Sequence, residues 1–465
     1  MAEYVWKQTP MRQLTKEERL KEFSEVLLGY SYEQALAEAD RCLQCQHPFC
    51  QDGCPAHNPI KEYIRLFREG DIEGAIRIDR ESNVLMACTG RVCDWEHQCE
   101  GACVMGVRGE PVRIGAIERF LADYQHFHPE LEIMELPPLK DEKVAVIGAG
   151  PAGLACAQGV RLAGYQAEIF DAWYLPGGVM SYGIPQFVLQ QDVIDREVDI
   201  LKKMGIKFHH GVVIGKDMTI DDLFAKGFKA VFVGVGANKA KTMGIEGEDL
   251  EGVYTAKDFL MFATQEVLTS KYNLPTVDGF KVGKKVAVIG AGNTAMDAAR
   301  TAIRMGAEEV KIVYRRSKEQ SPSREIEIEH TEHEGVKFEY LVNPLRILGD
   351  ENGRVKGMES IRMKLGSPDR SGRPRPEPVE GSEFIMDVDQ VVFAVGYDPE
   401  TLIAQTTPGL EVNSWNGIVV DNDTYMTSRE GVFAGGDSVT GANTVVHAVA
   451  AGRDAAQAII NYLED

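Results

Sequence analysis

One eight-residue segment occurs twice in this chain, as Lys143-Val-Ala-Val-Ile-Gly-Ala-Gly150 and as Lys285-Val-Ala-Val-Ile-Gly-Ala-Gly292. In each copy a short apolar run, Val144 to Ile147 or Val286 to Ile289, precedes a glycine turn and an alanine-rich stretch. That order reads as a buried parallel strand, a tight turn and a helix. The turn aims the N–H groups of the helix start at a pyrophosphate, where negative charge is favoured. Two such units in one chain predict two dinucleotide sites.

The copies diverge where the cofactor decides the residue. The first has Gly148, Gly150, Pro151, Ala152 and Gly153, a complete GxGxxG, and the next strand (Ala167 to Phe170) ends at Asp171. A carboxylate there accepts hydrogen bonds from an adenosine ribose, which suits FAD or NAD. The second has Gly290, Gly292, Asn293, Thr294 and Ala295, a GxGxxA, and its strand (Val310 to Tyr314) runs into Arg315-Arg316-Ser317. Cations at that place suit the 2′-phosphate of NADPH. A single such motif also fits a plain turn in any α/β domain; two copies with opposite charge at the ribose end do not.

Eight of the nine cysteines lie between Cys42 and Cys103, and only Cys156 lies elsewhere. They fall as Cys42-Leu-Gln-Cys45, Cys50 and Cys54-Pro55, then Cys88, Cys93, Cys99 and Cys103. Closely spaced thiolates on turns suit iron–sulfur cubanes, and two [4Fe–4S] clusters fit this number, with Cys54 before its proline placed to cross to the other cluster. Structural zinc is the competing reading of CxxC, disfavoured by the gap to Cys50. His47, His57 and His97 stand nearby as lesser ligand candidates. Helical apolar spacing over 17–28, 32–43 and 60–78 predicts an all-helical module around the cysteines.

Further on, Leu175-Pro-Gly-Gly178 and Tyr182-Gly-Ile-Pro185 are loops whose glycines let backbone pass close to a flat ring. Apolar runs at 230–237 and 390–396 end in glycines, as expected where the chain crosses between two nucleotide domains. Gly431-Val-Phe-Ala-Gly-Gly436-Asp437 is a strand into a glycine turn, and Thr444 opens the last helix. Asp437 is placed for a ribityl hydroxyl, and the helix start at Thr444 for the flavin edge that becomes negative on reduction. The acidic run 325–334 reads as a solvated helix face, with Arg324 in reach of the phosphate at Arg315. The stretch 366–381 reads as an exposed hairpin loop.

The expected fold is α/β: a helical iron–sulfur module (1–140), an FAD domain in two parts (141–255 and 396–465), and an NADPH domain (256–395) inserted between them. A chain of 465 residues with 44% hydrophobic content can bury three such cores. Its net charge of −21 argues against nucleic acid and anionic membranes as partners. It has no run of eighteen apolar residues and no apolar signal core, so a cytoplasmic setting is expected.

Arg41-Cys-Leu-Gln-Cys45, Gly90-Arg-Val-Cys93, Cys99-Glu-Gly-Ala-Cys103, Ile114-Gly-Ala-Ile-Glu-Arg119, Gly177-Gly178 with Tyr182-Gly-Ile-Pro185, and Gly290-Ala-Gly-Asn-Thr-Ala-Met-Asp297 together resemble one family. It comprises the small subunit of NADPH-dependent glutamate synthase and its relatives, among them a ferredoxin:NADP oxidoreductase subunit and the amino-terminal part of dihydropyrimidine dehydrogenase. The likeness extends from Thr9 to the final helix. It implies FAD at the first cradle, NADPH at the second, and two clusters. Cys42, Cys45, Cys50 and Cys103 would hold one cluster, and Cys54, Cys93, Cys99 and Glu118 the other; Cys88 would be a spare thiol, although by spacing it could replace Glu118. Asp94 and Val188 depart from the usual proline and arginine. Hydride would pass from cofactor to cofactor without a catalytic side chain, and electrons would leave for a glutamate synthase large subunit making glutamate from 2-oxoglutarate and glutamine. A ferredoxin or polysulfide acceptor is the alternative within the same chemistry, and a zinc-stabilised, non-catalytic scaffold the alternative outside it.

Overall fold

The structure is a computed structural model in which residues 5–131, 135–369 and 372–465 are described. The first module is built from helices at Tyr32–Ala39, Ile60–Arg68, Ile72–Ser82, Met86–Val92 and Ile114–Phe127, with single turns at Lys16–Arg19 and Phe49–Asp52. Ile60, Tyr63, Ile64 and Phe67 fill its core, where the Phe67 ring lies 5.4 Å from Phe120. The expected helix over 60–78 is two helices. Gly70 turns the chain with φ +87°, and Asp71 caps the second helix by accepting from the Gly74 N–H at 2.9 Å. The expected helix over 17–28 stops after one turn, because Leu14 and Val26 join their backbones at 3.0 Å and draw the chain back on itself.

Each duplicated strand is flanked on both sides by parallel neighbours, which is why both read as unbroken apolar runs. The first sheet runs Val432–Ala434, Phe228–Val233, Lys143–Ile147, Gln166–Asp171, Lys207–His210. The second runs Val253–Thr255, Gln390–Phe393, Lys285–Ile289, Glu309–Tyr314, Lys337–Tyr340. The edge strand Val432–Ala434 returns to the first sheet after the whole second sheet has been made, so the second nucleotide domain is inserted in the first. Strand Val253–Thr255, which the sequence placed with the first domain, pairs with Gln390–Phe393 in the second. The two connections between the domains are themselves paired: Lys239–Ala240 lies antiparallel to Tyr397–Asp398, and the Lys241 ammonium sits 3.0 Å from Asp398.

An antiparallel sheet of Val342–Gly349, Val355–Pro368, Pro374–Pro378 and Phe384–Met386 is appended to the second domain. It contains the expected hairpin; residues 370–371 lie outside the described residues. The last helix, Val445–Glu464, lies along Pro151–Leu162 at close range: a Cβ on Gly452 would sit 2.0 Å from the Ala152 carbonyl, and one on Gly159 would sit 2.6 Å from the Ala456 Cβ. The helical module is fastened to the first nucleotide domain by the buried pair Arg80 and Glu197, whose Oε1 also accepts from the Ala87 N–H at 3.0 Å. Among the described residues no helix is long and apolar enough to cross a membrane.

Candidate functional site

Both cradles open onto one cavity of about 1300 Å³, lined by Gly148, Gly150, Pro151 and Ala152 of the first and by Gly290, Gly292, Asn293 and Thr294 of the second. A single drug-sized ligand fills roughly 300–1,000 Å³, so the space suits two dinucleotides meeting. In the first cradle Gly148 turns with φ +102°, and a Cβ there would lie 2.5 Å from the Gly234 carbonyl. Gly150 faces open space, with nothing within 4 Å of its Cβ position. Gly153 does not line the cavity; it lets the helix seat on the turn, since its Cβ would stand 1.9 Å from the Gly148 carbonyl oxygen. Gly178 returns over the turn, its Cβ position 3.0 Å from the Gly150 Cα.

Asp171 is buried at the end of strand Gln166–Asp171, accepting from the Ala149 N–H at 2.5 Å and the Trp173 N–H at 2.7 Å. A carboxylate has about four acceptor positions, so two remain for ribose hydroxyls. Burial raises its pKa, and the two N–H groups oppose that rise. At the opposite end Gly436 (φ +65°) packs beside Ala152, and Asp437 lines the cavity. Burial pushes the Asp437 carboxyl up to about 7 against one N–H bond from Asn443. Thr444 caps the last helix, so that helix points its amino end at the cavity.

In the second cradle Gly290 (φ +133°) brings the turn to within 2.3 Å of the Ala394 carbonyl, measured from its Cβ position. Arg315 and Arg316 both line the cavity, but they differ in engagement. Arg315 is exposed. Arg316 is buried against the appended hairpin, where Nε donates to the Pro374 carbonyl at 2.9 Å and Nη2 to Asp369 at 3.2 Å. Arg373, from the same hairpin, also lines the cavity and donates to the Tyr314 hydroxyl at 2.9 Å. The adjoining acidic helix is solvated only in part: Glu325, Glu329 and Glu332 are exposed. Glu327 and Glu334 are buried among arginines: Arg304 reaches Glu334 at 2.6 Å, Arg300 reaches it at 3.0 Å, and Arg324 reaches Glu327 at 2.6 Å. Burial alone would raise the Glu334 pKa, but the bonds from Arg304 and Arg300 hold it down at about 2. Arg324 also faces the iron–sulfur module, donating from Nη1 to the Cys93 carbonyl at 3.0 Å.

The cysteines gather into two groups. Cys42, Cys45, Cys50 and Cys103 open onto one small pocket with Ile60, Ile64 and Met105, rimmed by exposed Leu43, Phe49 and Val104. Cys54, Cys93 and Cys99 are buried and lie in electrostatic reach of one another and of Glu118. Burial pushes the Cys50 thiol up to about 12 and those of Cys93 and Cys99 well above the usual range. Soft thiols brought together in this way suit iron, whose charge displaces their protons. Glu118 projects from Ile114–Phe127, and its Oε1 accepts from Asn83 at 2.7 Å and Thr89 at 2.6 Å. Cys88 is turned elsewhere, toward Glu197, Arg91 and Arg80. His47, His57 and His97 are exposed, and Cys156 is buried within Pro151–Leu162.

Two residues at or beside the cavity escaped the sequence reading. Asp297 lines the cavity with its carboxyl pushed up to about 8, first by burial and then by Glu327; it closes the motif that begins at Gly290, but its spacing alone gives it no role. Gln98, next to Cys99, donates to the Thr444 hydroxyl at 3.3 Å and so joins the cysteine-bearing module to the last helix.

Comparison with known proteins agrees with these parts. Residues 19–129 match the family described as dihydropyrimidine dehydrogenase domain II, 4Fe-4S cluster, which decides against structural zinc, and residues 142–452 match pyridine nucleotide-disulphide oxidoreductase. The glutamate synthase [NADPH] small chain of Escherichia coli (strain K12) is 38% identical over 95% of this chain and 94% of its own. The NADPH-Fe(3+) oxidoreductase subunit beta of Geobacter sulfurreducens is 39% identical over 90% of this chain, which spans 64% of that protein. Among solved structures, Mycobacterium tuberculosis FprA in complex with NADPH shares the fold, with a TM-score of 0.58, 20% identity, and coverage of 70% of this chain and 85% of its own. The chain therefore belongs to the family of the glutamate synthase [NADPH] small chain, NADPH-dependent oxidoreductases with FAD, NADPH and [4Fe–4S] clusters as cofactors.

Proposed function

We propose that this chain is the electron-entry subunit of a glutamate synthase, supplying a large subunit that forms glutamate from 2-oxoglutarate and glutamine. The observation that carries the reading is the single cavity shared by both cradles, which also reaches Val92 and Asp94 on either side of Cys93. Bound FAD would supply hydride chemistry with NADPH, and bound clusters would supply single-electron transfer. The residues divide that work. Gly150 and Ala152 would offer N–H groups to the FAD pyrophosphate, Asp171 would hold its ribose, Gly178 and Gly436 would allow the ring and ribityl chain close passage, and Asp437 would take a ribityl hydroxyl. The helix start at Thr444 would favour negative charge on a flavin placed before it. Gly292, Asn293 and Thr294 cradle NADPH, and Arg315 reads its 2′-phosphate with Arg316 and Arg373 behind it.

Cys54, Cys93, Cys99 and Glu118 would hold the inner cluster, beside the cavity, and Cys42, Cys45, Cys50 and Cys103 the outer one. Glu118 has one oxygen tied to Asn83 and Thr89, which leaves the other for iron. The outer ligand loops 42–51 and 102–107 carry no Asp, Glu, Lys or Arg in a chain that is 26% charged. An uncharged, apolar rim suits a stably held partner subunit better than a transient, charge-steered one. A cytoplasmic setting fits reduced thiols. The test is to mix the purified chain with a glutamate synthase large subunit and follow NADPH-dependent glutamate formation. Absence of coupling, together with rapid ferric reduction, would give the acceptor role to the chemistry named for the Geobacter relative.

A further inference from the structure

Arg324 stands at a junction that neither cofactor site explains. It is 5% exposed and caps the acidic helix Glu325–Glu334 of the NADPH domain. Its backbone N–H donates to the Asn293 side-chain oxygen at 3.1 Å, and Ser323 donates to the same oxygen at 2.7 Å. Asn293 is the first residue of the helix on the second cradle. The guanidinium points the other way, donating to the Cys93 carbonyl at 3.0 Å and lying 5.1 Å from the Trp95 ring centroid. Next to it the Glu325 N–H donates to Glu96 at 2.9 Å. One residue therefore touches both the dinucleotide cradle and the backbone of an inner-cluster cysteine. Arg324 Nε is buried without a hydrogen-bond partner although the residue lines the cavity, so this end of the contact is incompletely satisfied.

We infer that Arg324 is a positioning residue that couples occupancy of the NADPH cradle to the reduction potential of the inner cluster. The inference rests on the proposed ligand role of Cys93. A cation beside a cluster, and a hydrogen bond to its ligand's backbone, favour the more negative, reduced form and raise the potential. Binding a dinucleotide at Asn293 bears on the residue that holds that cation in place. By linkage the effect runs both ways: if the nucleotide shifts the potential, cluster reduction shifts nucleotide affinity by the same factor.

The test uses the full-length holoprotein and its Arg324→Gln and Arg324→Lys variants. Both clusters are titrated anaerobically by electron paramagnetic resonance, with and without NADP⁺, and NADP⁺ affinity is measured with clusters oxidised and reduced. Iron and sulfide contents are determined in parallel. In Arg324→Gln the inner cluster shifts to lower potential, the outer cluster and flavin do not move, and NADP⁺ affinity no longer depends on cluster state. Arg324→Lys retains the charge, so it recovers part of the potential without the nucleotide response. Full iron content with an unmoved inner potential in Arg324→Gln overturns the inference while sparing the ligand assignment. Full iron and two intact cluster signals after Cys93→Ala overturn the ligand assignment and the inference with it.

Discussion

The two nucleotide cradles start from the same eight residues and are held in place by opposite means. The helix after the first, Pro151–Leu162, is seated by small residues: Gly153 on its own turn, and Gly159 and Ala152 against the last helix. The helix after the second, Asn293–Arg304, is seated by charge, with Arg300 and Arg304 buried against Glu327 and Glu334. A shared motif thus dictates a backbone turn but not how that turn is supported. The support determines which substitutions each site tolerates.

The largest expected effect lies at the third small position of the fingerprint. Gly153→Ala places a methyl where 1.9 Å separates it from the Gly148 carbonyl, so the protein should purify without flavin colour. The second cradle already carries alanine there, fully buried at Ala295, so the same group is accommodated. Yellow, FAD-replete Gly153→Ala protein would mean the two turns are equally roomy.

Next in size is Glu334→Ala, which leaves Arg300 and Arg304 buried without a shared partner. Removing one member of a buried pair costs about 3–5 kcal/mol. Denaturant unfolding should show that loss in the second nucleotide domain; a change below about 1 kcal/mol, the range of exposed pairs, would show the network to be dispensable.

Arg315→Ala should raise KM for NADPH by about 10–100-fold, as expected for losing a charged hydrogen bond of roughly 1.5–3 kcal/mol, and leave NADH use unchanged. Arg316→Ala should affect stability more than cofactor choice, because its guanidinium is bonded to the Pro374 carbonyl and Asp369. Equal loss of NADPH preference in both variants would restore the simpler expectation that the pair acts together.

The smallest effect is a pH dependence confined to the charge-seated domain. Burial lowers the His330 pKa from 6.5 to about 4, so the unfolded chain binds the proton first. The resulting stability is complete above pH 6.5 and is lost as pH falls through about 4. Thermal melts across that window should show a decline that His330→Gln flattens; an identical decline in the variant would assign it to other groups.

The strands and turns were legible in sequence because each is set by neighbours a few residues apart; the approach of Cys103 to Cys42, Cys45 and Cys50, about sixty residues away, was not, and followed from the family resemblance alone. The engagement of Arg316 was not, since Asp369 and Pro374 lie far along the chain on a hairpin whose docking no local pattern reveals. The acidic helix misled for a related reason: runs of Glu usually face water, and only the arginines on Asn293–Arg304 and Arg324 draw Glu327 and Glu334 inside. The stretch 17–28 has helical spacing, yet long-range backbone pairing at Leu14 and Val26 overrode it.

The paired connections between the nucleotide domains have a mechanical consequence. A single strand would let the inserted domain swivel, whereas two strands paired at Lys239–Ala240 and Tyr397–Asp398 tie it at two points. Turning the inserted domain about its connections would have to break that pairing, so the two cradles keep one facing toward each other.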